Sequence, residues 1–183
     1  RPGDDIYVSG TLGDARLALD ALQGQATATA LPPALLAAAR QRLERPTPRV
    51  ALGLRLRGVA SAALDVSDGL LGDLGHVLRA SGVGACIELS TTTDLIAASA
   101  YQASAGGLFC SNYLQRCTLA GGDDYELAFT ASPAHRAAVA AAAHASGTPV
   151  TRIGVVQNQP GLRLIDAEGR LVERDYASFD HFL

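Results

Sequence analysis

Strand-like and helix-like patterns follow one another irregularly along this chain of 183 residues. Alternating or apolar runs predict strands over residues 5–10, 60–65, 83–89, 125–130 and 150–156, and a hairpin that joins 162–165 to 171–173. Helical spacing predicts helices over residues 14–22, 34–43, 49–57, 69–80 and 132–145. A doubly wound fold would need regular alternation, so we predict an α+β domain with a mixed sheet covered by helices.

The pattern is weakest between residues 91 and 115. We predict there only a helix that Asp94 caps and that continues through Tyr101, broken by Gly106 and Gly107. The sequence leaves open how residues 97–117 fold and whether they have a role.

Composition indicates how the interior is packed and which binding partners the protein is suited to. The chain is 48% hydrophobic but only 5% aromatic, with no Trp, so alanine must fill much of the interior and helices must pack closely on the sheet. Net charge is -3 and the 15 cations, all arginine, are scattered along the chain, which argues against nucleic acid as a partner. The sequence has no uninterrupted apolar run of 18 residues, so we predict no membrane span.

The three cysteines are Cys86, Cys110 and Cys117. Their spacing fits neither a zinc site nor a redox pair, so we interpret them as reduced thiols of a cytoplasmic protein, with Cys86 in the core. The chain begins Arg-Pro-Gly-Asp-Asp and has no Met at any position. We therefore expect it to be part of a longer protein.

A first acidic turn, Leu-Asp-Val-Ser-Asp-Gly-Leu, spans residues 64–70 between a predicted strand and a predicted helix. Backbone N–H groups at a helix start, together with the Ser67 hydroxyl, are suited to bind phosphate. Asp65 and Asp68 would repel that phosphate unless Mg²⁺, which takes oxygen ligands, lay between them. The alternative is that Ser67 or Asp68 only caps the helix.

A second acidic turn, Gly-Gly-Asp-Asp-Tyr-Glu-Leu, spans residues 121–127. Its two glycines allow the backbone to approach a ligand closely. Asp123, Asp124 and Glu126 would be costly together unless they are solvated or paired with a cation, and on a strand Asp124 and Glu126 would share a face. The alternative is a solvated tight turn.

Known phosphate motifs do not explain these turns. The chain has no Gly-x-x-x-x-Gly-Lys-Ser/Thr, so it has no P-loop. Asp65 and Asp68 are separated by two residues, whereas the nucleophile loop of haloacid dehalogenases requires one. Because the chain has no lysine, arginine, backbone and metal must stabilise any bound phosphate.

Five segments together resemble the C-terminal half of the thiamine-monophosphate kinase family. They are residues 3–19 (GDDIYVSGTLGDARLAL), 45–50 (RPTPRV), 63–74 (ALDVSDGLLGDL), 120–130 (AGGDDYELAFT) and 179–182 (FDHF). The resemblance extends over the whole chain and implies the C-terminal domain fold of the aminoimidazole-ribonucleotide-synthetase-like superfamily over residues 1–183. The sequence departs from the family at Asp123, where the family often has Glu, and over residues 97–117.

The resemblance also implies a reaction and roles. ATP would phosphorylate thiamine monophosphate to thiamine diphosphate by direct transfer. Asp65 and Asp68 would ligate Mg²⁺, Ser67 would contact ATP, and Asp123 would contact thiamine monophosphate. Phe179 would pack on the cationic thiazolium as a cation–π contact, unless it only closes the core.

The family enzyme also has an N-terminal half that supplies most ATP and metal ligands and a homodimer interface. Nothing in this sequence matches that half, so we expect little or no phosphate transfer by these 183 residues alone. Two alternatives remain: another ATP-dependent synthetase of the same superfamily, and a non-catalytic α+β binding domain.

Overall fold

The computed structural model describes residues 1–25, 31–99, 109–173 and 176. Within these residues, six strands form a single sheet: β1 (Asp5–Ser9), β2 (Ala60–Val66), β3 (Gly84–Glu88), β4 (Glu126–Ala131), β5 (Val150–Gln157) and β6 (Gly161–Ile165). Their spatial order is β2-β4-β1-β5-β3-β6. Neighbours are antiparallel except β3 and β6, which run parallel, so the predicted mixed sheet is confirmed.

Seven α-helices are described: α1 (Asp14–Leu22), α2 (Pro33–Glu44), α3 (Val50–Arg55), α4 (Leu70–Ser81), α5 (Leu89–Thr93), α6 (Ser111–Ala120) and α7 (Arg136–Ser146). The five helices predicted from spacing are confirmed within three residues at each end, apart from the start of α7. A 3-10 turn, Pro133–His135, precedes α7, and the Ser132 hydroxyl accepts a hydrogen bond from the Ala134 N–H there.

The prediction for residues 91–115 is wrong in two respects. Asp94 does not start a helix but is the C-cap of the short helix α5. The predicted helix end at Tyr101 and the break at Gly106 and Gly107 lie outside the described residues. Helix α6 was not predicted, because its sequence, SNYLQRCTLA, contains several weak helix formers and its N-cap, Cys110, makes no side-chain cap hydrogen bond. Packing of its buried face, which includes Leu114 and Cys117, against the rest of the protein stabilises it instead.

Helices cover both faces of the sheet. On one face, Leu70, Leu74 and Leu78 of α4 pack against Ile6 and Val8 of β1. On the other face, residues of α3 and α7 pack against Tyr7 and Phe129, whose rings stack with centroids 5.2 Å apart. Buried alanines in α1, α2 and α7 bring these layers close together, as the composition predicts: Ala15, Ala18, Ala39 and Ala142.

The cysteines and the C-terminal hairpin can also be compared with the predictions. All three thiols are free, but Cys86 on β3 is partly exposed rather than a core residue, and Cys117 is the buried one. The predicted hairpin is confirmed by an antiparallel bridge between Ile165 and Leu171. Within the described residues, no helix is long and apolar enough to cross a lipid bilayer.

Candidate functional site

The sheet brings the two acidic turns together. Strands β2 and β4 are antiparallel neighbours, so the last residue of β2, Val66, lies opposite the first residue of β4, Glu126. Two backbone hydrogen bonds continue this pairing into the turns: Asp123 N–H donates to the Ser67 carbonyl, and Tyr125 N–H donates to the Val66 carbonyl, each at 2.9 Å. Residues that are 56 to 60 positions apart in sequence therefore share one end of the sheet.

Glycine makes this approach possible at two positions. A Cβ on Gly122 would lie 2.5 Å from the Ser67 carbonyl oxygen, and one on Gly69 would lie 2.9 Å from the Ala120 carbonyl carbon. Real Cβ atoms do not come this close to backbone atoms. Larger residues at either position would push the two turns apart.

The side chains of Ser67 and Asp68 do not cap helix α4. The N-cap is Gly69, with φ of 116° and no side-chain cap hydrogen bond. Instead, the Asp73 carboxylate in the first turn of α4 accepts hydrogen bonds from the N–H groups of Ser67, at 2.9 Å, and Asp68, at 3.0 Å. The capping alternative is therefore wrong, and these two amides already have an acceptor, so a phosphate would have to use other groups.

The acceptor role of Asp73 also changes the electrostatics of the turn. A third carboxylate now lies beside Asp68, which makes the turn more suited to a cation than to a bare anion. This observation favours the metal interpretation of the first acidic turn over direct phosphate binding by its amides.

A cavity of about 380 Å³ lies between the two turns and helix α1. The residues that line it include Ser67, Asp68 and Asp123 from the turns, Arg16 from α1 and Gln23 at the C-terminal end of α1. Three of the residues predicted from sequence thus line one cavity. Arg16 places a cation there, and its Nε–H donates to the Asp20 carboxylate at 2.7 Å, which fixes the side chain.

The other two predicted site residues are placed differently. Asp65 is exposed on the edge strand β2, two residues before Ser67, and is not among the residues that line the cavity. Any metal that bound both Asp65 and Asp68 would therefore lie at the edge of this cavity. Phe179 lies outside the described residues.

Asp124 in the second turn is fully buried, so the solvated-turn alternative is wrong. Its carboxylate accepts hydrogen bonds from the N–H groups of Gly13, at 2.7 Å, and Ala15, at 3.4 Å, at the start of helix α1. Burial raises its pKa to about 8 despite the Gly13 hydrogen bond, which acts in the opposite direction. Asp124 thus fastens the turn to α1 rather than facing a ligand.

Glu126 is also fully buried and is held by two arginines. Arg42 from α2 donates to it at 2.6 Å, and Arg49, just before α3, donates with Nη2 at 2.5 Å and Nε at 2.7 Å. The Ser9 hydroxyl adds a hydrogen bond at 2.5 Å. The sequence predicted that the acids of this turn need solvent or a paired cation, and for Glu126 that cation is arginine. The hydrogen-bonded ion pair with Glu126 also raises the pKa of Arg49.

These contacts hold a strained backbone. Asp123 has φ of 68° and Tyr125 has φ of 51°, the two non-glycine residues in the left-handed region among those described. Such conformations cost about 1 to 3 kcal/mol each and persist only where the surroundings impose them. Asp124 and Glu126 provide that constraint on either side, and Asp123 consequently lines the cavity.

The described residues fit a metal that is completed by other ligands. No group of three His, Cys, Asp or Glu side chains within them is arranged to hold a metal ion. Asp68 and Asp123 nevertheless line the same cavity, and Mg²⁺ is commonly bound by one or two carboxylates plus phosphate oxygens of a substrate. This chain can therefore supply part of a Mg²⁺ site.

Several residues of this region were not singled out from the sequence: Arg16, Arg42, Arg49 and Asp73. Arg42 had no local signal, since its acid partner is 84 residues away. Arg49 lies in the RPTPRV segment and Asp73 in the ALDVSDGLLGDL segment, so the resemblance marked both stretches without giving either residue a role.

Comparisons with known proteins point to one family. The model of the family described as AIR synthase related protein, C-terminal domain, matches residues 1–167. Thiamine-monophosphate kinase of Salmonella typhimurium is 38% identical over 183 residues, which are 100% of this chain and 53% of that protein. The chain spans about half the length of the curated relatives it matches.

Solved structures give the same result. The crystal structure of thiamine-monophosphate kinase from Stenotrophomonas maltophilia superposes with a TM-score of 0.78 at 44% identity, over 94% of this chain and 52% of that one. A structure described as AaThiL complexed with AMPPCP and TMP superposes with a TM-score of 0.70 at 30% identity, over 100% of this chain and 52% of that one.

Proposed function

Because this chain belongs to the AIR synthase related protein, C-terminal domain family, we propose that it is the C-terminal part of a kinase that converts thiamine monophosphate to thiamine diphosphate with ATP. The observation that carries the proposal is the cavity where Ser67, Asp68 and Asp123 meet. Relatives named thiamine-monophosphate kinase, 38% identical over all 183 residues, support the choice of substrate.

Each residue has a role in this proposal. Asp68, together with Asp65 near the end of the preceding strand β2, would hold Mg²⁺. The ion would supply positive charge that offsets the negative charge of the phosphates. The Ser67 hydroxyl would donate to ATP, and Asp123 would contact thiamine monophosphate. Phe179 would pack on the thiazolium ring, whose positive charge favours an aromatic face.

Arg16 adds to the proposed chemistry. Its guanidinium lines the same cavity and is one-third exposed, so it can donate to phosphate oxygens while its Nε–H stays on Asp20. Because the chain has no lysine, Arg16 is the side-chain cation among the lining residues of that cavity that can stabilise the negative charge of a phosphate.

The proposed activity requires more than this chain. The relatives are about twice as long, and an N-terminal half would supply further ATP and metal ligands and a homodimer interface. Residues 1–183 would form the C-terminal domain that binds substrate and the phosphates of ATP. A reaction that consumes ATP and uses Mg²⁺ as a cofactor fits a cytoplasmic enzyme with three free thiols.

The test is a kinase assay on the full-length protein as the cell makes it, with ATP, Mg²⁺ and thiamine monophosphate. Asp68→Asn should lower kcat/KM by about a hundredfold and raise the Mg²⁺ concentration needed for half-maximal rate, because one carboxylate ligand is lost. Asp94→Asn is the matched control, since it removes one exposed carboxylate away from the cavity.

Full activity of Asp68→Asn would contradict the metal role of the first turn. Absence of any turnover of thiamine monophosphate by the full-length wild-type protein would contradict the kinase itself. Turnover by residues 1–183 alone would contradict the requirement for a second half.

A further inference from the structure

A second cavity, of about 350 Å³, lies between helix α2, the segment after it and the start of helix α1. Residues that line it include Thr11, Asp14, Arg42, Arg45, Thr47 and Arg49. None of its lining residues belongs to the cavity of Ser67, Asp68 and Asp123. We call it the arginine cavity, because it brings together three of the 15 arginines in the sequence.

The fold leaves many of the guanidinium donors of this cavity without acceptors. Arg49 uses Nε and Nη2 on Glu126, and Arg42 uses only Nη2, on Glu126 and on the Asp124 carbonyl. Arg42 Nε is buried and has no hydrogen-bond partner among the residues that the structure describes. Arg45 makes no side-chain hydrogen bond or ion pair within the described part of the chain, so its planar fork of five N–H donors is available.

The charges around the cavity leave an excess of positive charge. Arg42 and Arg49 share a single carboxylate, Glu126, and Arg45 has none among the described residues. The one acidic side chain of the lining, Asp14, accepts hydrogen bonds from the Thr11 hydroxyl and the Ala97 N–H, and burial raises its pKa. Three cations thus face at most two carboxylates, and neither carboxylate pairs with Arg45.

The segment that carries two of these arginines is rigid. Pro46 and Pro48 fix two φ angles between Arg45 and Arg49. In addition, two hydrogen bonds to Glu126 hold the Arg49 side chain in place. A ligand that bound both arginines would therefore order little additional backbone, which favours affinity.

From these contacts we propose that the arginine cavity binds a phosphate-class oxyanion through Arg45 and Arg49, with the Thr47 hydroxyl as a further donor. Guanidinium groups pair with phosphate oxygens in a bidentate way, and the unused donors of this cavity provide that arrangement. The ligand is free inorganic phosphate or the phosphoryl end of a small organic phosphate. This site is additional to the proposed kinase site and does not depend on it.

Calorimetric titration of the full-length protein with inorganic phosphate and with glycerol phosphate tests the proposal. Magnesium should be chelated and ionic strength held constant with chloride. We expect saturable binding that Arg45→Ala weakens about tenfold or more, and that Arg45→Gln also weakens. A tighter constant for glycerol phosphate identifies an organic ligand, and equal constants identify free phosphate.

Two matched variants make the result decisive. Arg57→Ala removes one exposed arginine outside the arginine cavity, so it should leave the dissociation constant unchanged. Equal weakening by Arg45→Ala and Arg57→Ala would show unspecific charge attraction and overturn the proposal. Loss of binding in Arg16→Ala but not in Arg45→Ala would place the anion in the other cavity and would overturn it too, as would the absence of saturable binding.

Discussion

Three buried acidic side chains hold distant segments of this structure together, and each has a different set of hydrogen-bond or ion-pair partners. Glu126 has two arginines, Asp124 has backbone N–H groups, and Asp5 on the central strand β1 has Arg136 and Arg152. Burying a charge without such partners costs several kcal/mol, so the loss of a partner matters more than the strength of the pair.

Glu126→Gln should destabilise the protein by about 3 to 5 kcal/mol, because Arg42 and Arg49 would keep their charges without a carboxylate. Urea unfolding followed by circular dichroism measures this change. Glu44→Gln is the control: it breaks the exposed pair of Glu44 with Arg40 and should cost about 0.5 kcal/mol or less. Equal effects of the two substitutions would show that the Glu126 cluster contributes no more than a surface pair.

At the scale of elements, the approach of β2, β4, α4 and α6 depends on glycine backbone. Gly69, between β2 and α4, has a positive φ and packs on the backbone of Ala120 at the end of α6. Gly53 differs, because it lies inside α3, where an added methyl carbon would lie 3.8 Å from its nearest neighbour, Leu127 Cδ1. We therefore expect substitution by alanine to change the stability of the protein in opposite directions at the two glycines.

Gly69→Ala should destabilise the protein by more than about 1 kcal/mol, since the methyl group meets backbone and φ becomes unfavourable. Gly53→Ala should stabilise it by up to about 1 kcal/mol through helix propensity. Thermal or urea unfolding of both variants measures the difference. A Gly69→Ala variant as stable as the wild type would mean that the turns can separate without cost.

At the scale of the whole molecule, buried acids with opposite pKa shifts set the pH dependence of stability: the pKa of Asp5 is lowered, whereas burial raises the pKa of Asp124 and of Asp14. The hydrogen bond from Arg136 is the main reason that the pKa of Asp5 falls from 3.8 to about 2. Its contribution is complete above about pH 4 and is lost as the pH falls towards 2. Asp124 has the opposite shift, to about 8, so between about pH 4 and 8 the folded state holds a proton that the unfolded state has released. Stability therefore decreases with rising pH in that window.

We expect maximal stability near pH 4 to 5, measured as the free energy of unfolding in urea between pH 2 and 9. Asp124→Asn should reduce the decrease above pH 5, because one of the two acids whose pKa is raised by burial is gone. Asp5→Asn should remove the acid limb and lower stability at neutral pH by about 2 kcal/mol. A wild-type profile that rises steadily from pH 5 to 8 would contradict the assignment for Asp124.

The sequence by itself determined most of the elements and pointed to the two acidic turns. Turn glycines and helix-forming residues predicted the bounds of α1, and alternating or apolar runs located the six strands, because those runs reflect which faces of a strand are buried. The first acidic turn and the family resemblance also singled out Ser67, Asp68 and Asp123, which line one cavity. Strand and helix patterns and acidic turns each depend on residues that are close together in the chain, so they can be recognised from one sequence.

Only the tertiary structure decided which acids face the cavity and which are internal. Asp123, Asp124 and Glu126 look equivalent in sequence, yet only Asp123 lines the cavity, because Arg42, Arg49 and the start of α1 take the other two. The same long-range packing gathers arginines that are scattered along the chain into one cavity and stabilises α6 despite its weak local signal. Contacts between distant segments depend on the whole fold, and no local pattern encodes them.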